Sequence, residues 1–216
     1  MNFKYLVIEG PIGAGKTTLA TRLAESFQAQ LLLDRPWENP FLPEFYQGTP
    51  GAAFKSQLYF LADRLALLRA ITRNFPNNVS VVSDFLLEKD KVFAYLNLND
   101  SELVIYNKLF EAFSDLLIKP DLVIYLKADV DTLFGRIERR KIRMEDRITP
   151  AYMHNVVEAY DHFFFQYQQK TRTPLLVLES SQIDFTAGGS KMEDLFNFIR
   201  WKNVAGLQYY APATRG

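Results

Sequence analysis

Eight consecutive residues, Gly10-Pro11-Ile12-Gly13-Ala14-Gly15-Lys16-Thr17, constrain this chain more than any other feature. They match G-x-x-x-x-G-K-S/T, in which a glycine-rich turn wraps a phosphate group with backbone N–H donors. The context also matches. Phe3 to Glu9 is a short apolar run of strand formers, and residues 16–27 carry a helical pattern. A loop between a buried strand and a helix N-terminus aims partial positive charge at an anion. Gly10 to Thr18 are therefore the candidate triphosphate site. Lys16 is expected at the β- and γ-phosphates, and Thr17 on Mg²⁺.

Four more runs resemble the first, at 30–34, 79–84, 121–128 and 174–180. Continuous apolar runs of this length suit strands buried on both faces, as in parallel sheets. Helical patterns lie between them at 54–74, 101–118, 130–140 and 150–170, the last opened by Thr149-Pro150. This alternation predicts an α/β doubly wound fold, a five-stranded parallel sheet flanked by helices, in a single domain spanning 1–216. The tail at 203–216 fits neither pattern and stays unassigned.

Composition removes several classes of function. The 25 basic and 25 acidic residues give zero net charge, against the sustained positive field that a nucleic-acid coat or polybasic membrane binder needs. With no cysteine, disulfides, thiolate metal sites and thiol nucleophiles are excluded. The two histidines, His154 and His162, lack the i, i+4 spacing of a helical zinc pair. No run of 18 apolar residues exists, and the N-terminal run is too short for a signal peptide. A reducing cytoplasm is the expected location.

Many chemistries share such a phosphate loop. The N-K-x-D motif of a GTPase is absent, because Asn107-Lys108 continues Leu109-Phe110. The strand at 79–84 ends in Asp84-Phe85 rather than the Asp-Glu of a motor ATPase. A small-molecule kinase with ATP as donor fits best, and three constellations supply its acceptor site. Asp34 and Asp84 end two strands expected beside the first. One could accept the acceptor hydroxyl's proton, and the other could hold Mg²⁺. Gln57, Phe60 and Arg64 share one helix face over about 10 Å. An amide, a ring and a guanidinium there could read a planar base, although from periodicity alone Phe60 reads as core and Arg64 as solvated. The run 136–147 holds 6 basic and 3 acidic residues and could close over the phosphates as an arginine lid.

Together these segments resemble the deoxynucleoside kinase family, especially the bacterial deoxyadenosine and deoxyguanosine kinases, over most of residues 3–180. The phosphate loop, the Asn39-Pro40-Phe41-Leu42 stretch, the Gln57/Arg64 helix and the basic lid carry the resemblance. It implies a P-loop kinase that transfers the γ-phosphate of ATP to a 5′-hydroxyl and works as a homodimer. It also implies roles for single residues. Asp34 matches the family's early acid, usually Glu, and Asp84 the acid after the third strand. Tyr46 and Glu145 would meet the sugar 3′-hydroxyl. Gln57, Arg64 and Asp90 would recognise the base, while Arg136, Arg140 and Arg143 would hold phosphates. Phe85 stands where the family usually has Arg, and Ile142 replaces a lid arginine beside Arg143. Deoxyadenosine is the expected first substrate, then deoxyguanosine or deoxycytidine. A nucleoside-monophosphate kinase is the alternative acceptor reading, and a non-catalytic ATP-binding module the alternative of another class.

Overall fold

The computed structural model describes residues 3–72, 79–113, 118–142, 145–187, 189–201 and 204–212. Its strands are β1 (Tyr5–Glu9), β2 (Gln30–Leu32), β3 (Val81–Ser83), β4 (Leu122–Lys127), β5 (Leu175–Glu179) and β6 (Leu207–Tyr210). All pair in parallel, in the order β2-β3-β1-β4-β5-β6. The helices are α1 (Lys16–Phe27), α2 (Leu42–Tyr46), α3 (Ala52–Thr72), α4 (Asp90–Asn97), α5 (Asp100–Ala112), α6 (Val130–Arg140), α7 (Pro150–Thr171) and α8 (Ser190–Trp201).

Every residue of β1 is buried, as are Leu122 to Leu126 of β4. Successive strand side chains point to opposite faces, so both faces of the sheet centre are covered. That is why these strands appear as unbroken apolar runs. On one face, the Tyr125 ring of β4 stacks on Phe164 of α7 at 4.4 Å. No described helix is long and apolar enough to cross a membrane.

The sheet has six strands among the described residues, not five. The added strand, β6, lies in the tail that matched no pattern. Gly206 turns the chain at φ 65°, and Leu175 N–H then bonds to its carbonyl at 2.8 Å. Leu207 and Tyr209 are exposed, while Tyr210 packs edge-on against Phe198 of α8. A short half-exposed edge strand carries no continuous apolar run. Helix ends also moved. α3 starts at Ala52, just after Gly51 turns the chain at φ 74°. α5 opens at Asp100 behind a capping box in which Asn99 and Glu102 cap each other. It ends at Ala112, well short of 118. Thr149 caps α7 through Tyr152 N–H, with Pro150 in the first turn.

The strand order positions the site. From β1 the chain crosses to the sheet edge at β2 and returns to β3, so β3 and not the strand before Asp34 lies beside β1; it then passes to the other side through β4. Ligands bind at such a reversal, beyond the carboxyl ends of the strands. Glu9, Asp34 and Asp84 all stand at or just past those ends, beside the phosphate loop.

Candidate active site

The phosphate loop folds as its sequence requires. Gly13 and Gly15 take φ of 87° and 98°, the left-handed region that other residues avoid. Side chains there would also collide with neighbours. A Cβ on Gly13 would meet the Leu133 carbonyl at 2.9 Å, and one on Gly15 the Phe185 ring at 2.8 Å. α1 begins at Lys16 with no side-chain cap and no acidic residue in its first turn. Its N-terminal donors are thus not served by an anion of its own helix. Lys16 Nζ spans the loop, donating to the carbonyls of Gly10 at 2.8 Å and Pro11 at 3.0 Å. Burial and the nearby Lys89 push its ammonium down to about 8.

Two acids face this loop in different ways. Thr17 Oγ1 donates to Asp84 Oδ2 at 2.6 Å, and the Asp34 N–H donates to Asp84 Oδ1 at 2.7 Å. Burial raises the Asp84 carboxyl, and the Thr17 hydroxyl opposes the rise. Thr17 and Asp84 therefore present paired hard oxygens at the head of the loop. That donor set suits Mg²⁺, which usually takes one or two protein oxygens plus substrate phosphates. Asp34 instead accepts from Arg64 twice, Nε at 3.2 Å and Nη2 at 2.6 Å. Burial alone would raise its carboxyl, but Arg64 and then Lys89 outweigh this and hold it at about 2. Arg35 side-chain nitrogens pair with Glu38 and Asp63 rather than Asp34. Buried Asn39 fixes the intervening loop to α3, donating to the Ser56 carbonyl at 3.0 Å and its Oγ at 2.9 Å.

Arg64 is not solvated; it is 4% exposed. Its guanidinium bridges Asp34 and Asp90 and lies 4.6 Å from the Phe60 ring centroid. Burial works against its charge, yet Asp34 and Asp90 raise it above its ordinary value. Burial also pushes the Asp90 carboxyl up, against Arg64. With an always-charged guanidinium in contact, Asp90 is the anion of the pair. Its other oxygen accepts from Tyr106 OH at 2.8 Å, and its carbonyl accepts from Gln57 Nε2 at 3.0 Å. Periodicity mispredicted Arg64 because its partners lie thirty residues upstream and twenty-six downstream.

A cavity of about 250 Å³ connects these groups. Lys16, Thr17, Asp34, Tyr46, Gln57, Phe60, Arg64, Asp84, Asp90, Arg140 and Glu145 all line it. Burial keeps the Tyr46 phenol raised, hence protonated and able to donate. Arg140 Nη2 pairs with both Glu145 oxygens, at 2.9 and 3.0 Å. Arg136 is placed differently. It donates to the Ala14 carbonyl and to Ser180, tying α6 to the outer side of the phosphate loop. Arg143 lies outside the described residues. The cavity also includes residues the sequence reading did not single out: Trp37, Lys89, Phe93, Asn97, Tyr152 and Tyr160. Only Lys89 left a signal, as a lone cation in the loop after Asp84.

Comparison with known proteins agrees with this geometry. The family model described as deoxynucleoside kinase matches residues 6–204. The Bacillus subtilis deoxyguanosine kinase is 32% identical over 198 residues, covering 91% of this chain and 96% of that one. A Lactobacillus acidophilus deoxyadenosine kinase is 27% identical, covering 90% and 94%. The solved deoxyadenosine kinase of M. mycoides with bound dATP superposes with a TM-score of 0.76. It is 22% identical, and the match covers 91% of this chain and 99% of that one, which establishes the shared P-loop kinase fold. Members of the matched family are phosphotransferases with an alcohol group as acceptor, which favours a nucleoside over a monophosphate and an enzyme over a silent nucleotide-binding module. The fold, the phosphate loop facing two acids, and the match across nearly the whole chain make this protein a member of the deoxynucleoside kinase family.

Proposed function

We propose that the protein transfers the γ-phosphate of ATP to the 5′-hydroxyl of a deoxynucleoside, as a cytoplasmic salvage enzyme in a single domain. One observation carries this reading: a single cavity joins the phosphate loop to Asp34 and to the Gln57/Arg64/Asp90 group. Asp34 accepts the hydroxyl proton as the oxygen attacks phosphorus and ADP leaves. In a loose transition state, positioning and cations count for more than basicity, so a strongly acidic Asp34 is serviceable. Lys16 and Arg140, with Arg143 of the same basic run, serve the triphosphate, while Arg136 braces the loop that holds it. Thr17 and Asp84 would hold Mg²⁺, which supplies charge neutralisation on the phosphates when bound. Tyr46 and Glu145 meet the sugar.

Phe60 and Arg64 pack against the base, and Gln57 reads its edge. Because Gln57 Nε2 is tied to the Asp90 carbonyl, Oε1 is left as an acceptor for an exocyclic amine. Adenine, guanine and cytosine all carry such an amine; among them deoxyadenosine is the first choice, then deoxyguanosine or deoxycytidine. A phosphorylation panel with ATP, the four deoxynucleosides and their monophosphates tests this. Deoxyadenosine is expected to turn over fastest, and no turnover of any nucleoside would sink the reading.

The active form is a homodimer through α5 and the neighbouring face of α3. Val104, Ile105 and Leu109 of α5 are exposed, beside an apolar groove of about 570 Å³ lined by Leu58, Leu61, Leu65 and Phe113. Isolated monomers rarely expose so continuous an apolar face. Light scattering is expected to give twice the 25.0 kDa chain mass. Val104→Glu/Ile105→Glu is expected to halve that value, and an unchanged mass would move the interface elsewhere.

A further inference from the structure

Lys89 has no task in the scheme above, yet it lies at its centre. It is 4% exposed and lines the acceptor cavity. Its Nζ is 3.9 Å from Asp34 Oδ2 and 3.5 Å from the Glu9 carboxylate. It is the only cation between Asp84 and Asp90, and Phe85, Leu86 and Leu87 around it are buried in the core. Burying an ammonium is costly unless anions hold it. Glu9 is itself completely buried at the end of β1, but it does not depend on Lys89. Its carboxylate accepts from Gly10 N–H and Leu86 N–H, each at 2.9 Å, and from Tyr160 OH at 3.3 Å. Glu9 is thus a fixed brace, and the Lys89 ammonium leans from it toward Asp34.

Asp34 needs such a neighbour. Its present clamp, Arg64, also binds Asp90 on the base-reading side. A base entering the cavity competes for Arg64 but not for Lys89. We propose that Lys89 is a positioning residue for phosphoryl transfer: braced by Glu9, its ammonium keeps the Asp34 carboxylate aimed at the acceptor hydroxyl. This rests on the reading of Asp34 as the base.

The test is a double-mutant cycle on the full chain, with ATP and the nucleoside turned over fastest. Lys89→Met is expected to lower kcat about tenfold or more, with the KM for ATP unchanged. Lys89→Arg keeps the charge and is expected to retain most of the turnover. Glu9→Gln/Lys89→Met removes both buried charges together, which proteins often tolerate, and is expected to stay slow. In an Asp34→Asn background, itself about tenfold or more slower, Lys89→Met is expected to add almost nothing. Native turnover in the Glu9→Gln/Lys89→Met variant would reduce Lys89 to a neutraliser of Glu9 and overturn the proposal. So would a loss in Lys89→Arg as large as in Lys89→Met, or full additivity with Asp34→Asn. Unaffected turnover in Asp34→Asn alone would instead overturn the base assignment beneath it.

Discussion

Lys16→Ala is expected to lower nucleoside-dependent ADP formation by about 10²–10³-fold, the usual cost of removing one preorganised donor from a transition state. The ammonium is held across the mouth of its loop by two backbone carbonyls, Gly10 and Pro11. In the proposed reaction that position lies where charge on the transferring group develops. Lys16 is half-buried in the cavity wall, so part of its hydration is already lost before a phosphate arrives. The fold should hardly notice the change. Lys16 has no carboxylate in hydrogen-bond contact among the described residues, and alanine is the best helix former for the start of α1. Thermal unfolding should therefore match the native protein while ADP release falls. Equal turnover in the variant would remove the phosphate loop from the reaction.

Asp90→Ala should have the opposite signature, a large loss of stability. Asp90 is completely buried and accepts from Arg64 and Tyr106. Its removal strands part of a buried guanidinium and a buried phenol. Breaking a buried pair from one side typically costs about 3–5 kcal/mol, visible as a lower urea midpoint at unchanged slope. The double variant Arg64→Met/Asp90→Leu separates stability from recognition. An apolar pair of similar volume should recover much of the stability, because Asp34 still has Lys89 nearby. Nucleoside turnover should stay low, since the groups proposed to meet the base are gone. Full recovery of turnover would show that the pair only builds the core.

These two sites also mark what could be read from the chain. The phosphate loop was legible because its chemistry is local: glycine conformation, helix N-terminus and lysine sit within eight residues. The central strands were legible because burial on both faces writes an unbroken apolar run. Arg64 was not, since its burial depends on Asp34 and Asp90, far away along the chain. Only the resemblance to a family linked those three. Glu9 and Lys89 meet across seventy-nine intervening residues, and neither stands in a periodic pattern. A charge at the end of an apolar strand was the one trace of Glu9. Arg136 shows the converse. It belongs to a basic run, but its hydrogen bonds brace Ala14 and Ser180. Residue type alone does not say whether a guanidinium braces backbone or meets ligand.

The strand order has a consequence for the newborn chain. β1 leaves the ribosome before either of its neighbours, β3 and β4, with Tyr5 beside Val81 and Leu6 beside Leu122. Until those partners emerge, a strand apolar up to its final Glu9 has nothing to pair with, and such long-range parallel pairing is slow. The phosphate loop is made early but acquires its shape late. The Gly13 wall is Leu133, and the Gly15 wall is Phe185. Nucleotide should therefore bind only once the chain through Phe185 has been made, which makes binding a report that synthesis has passed β5.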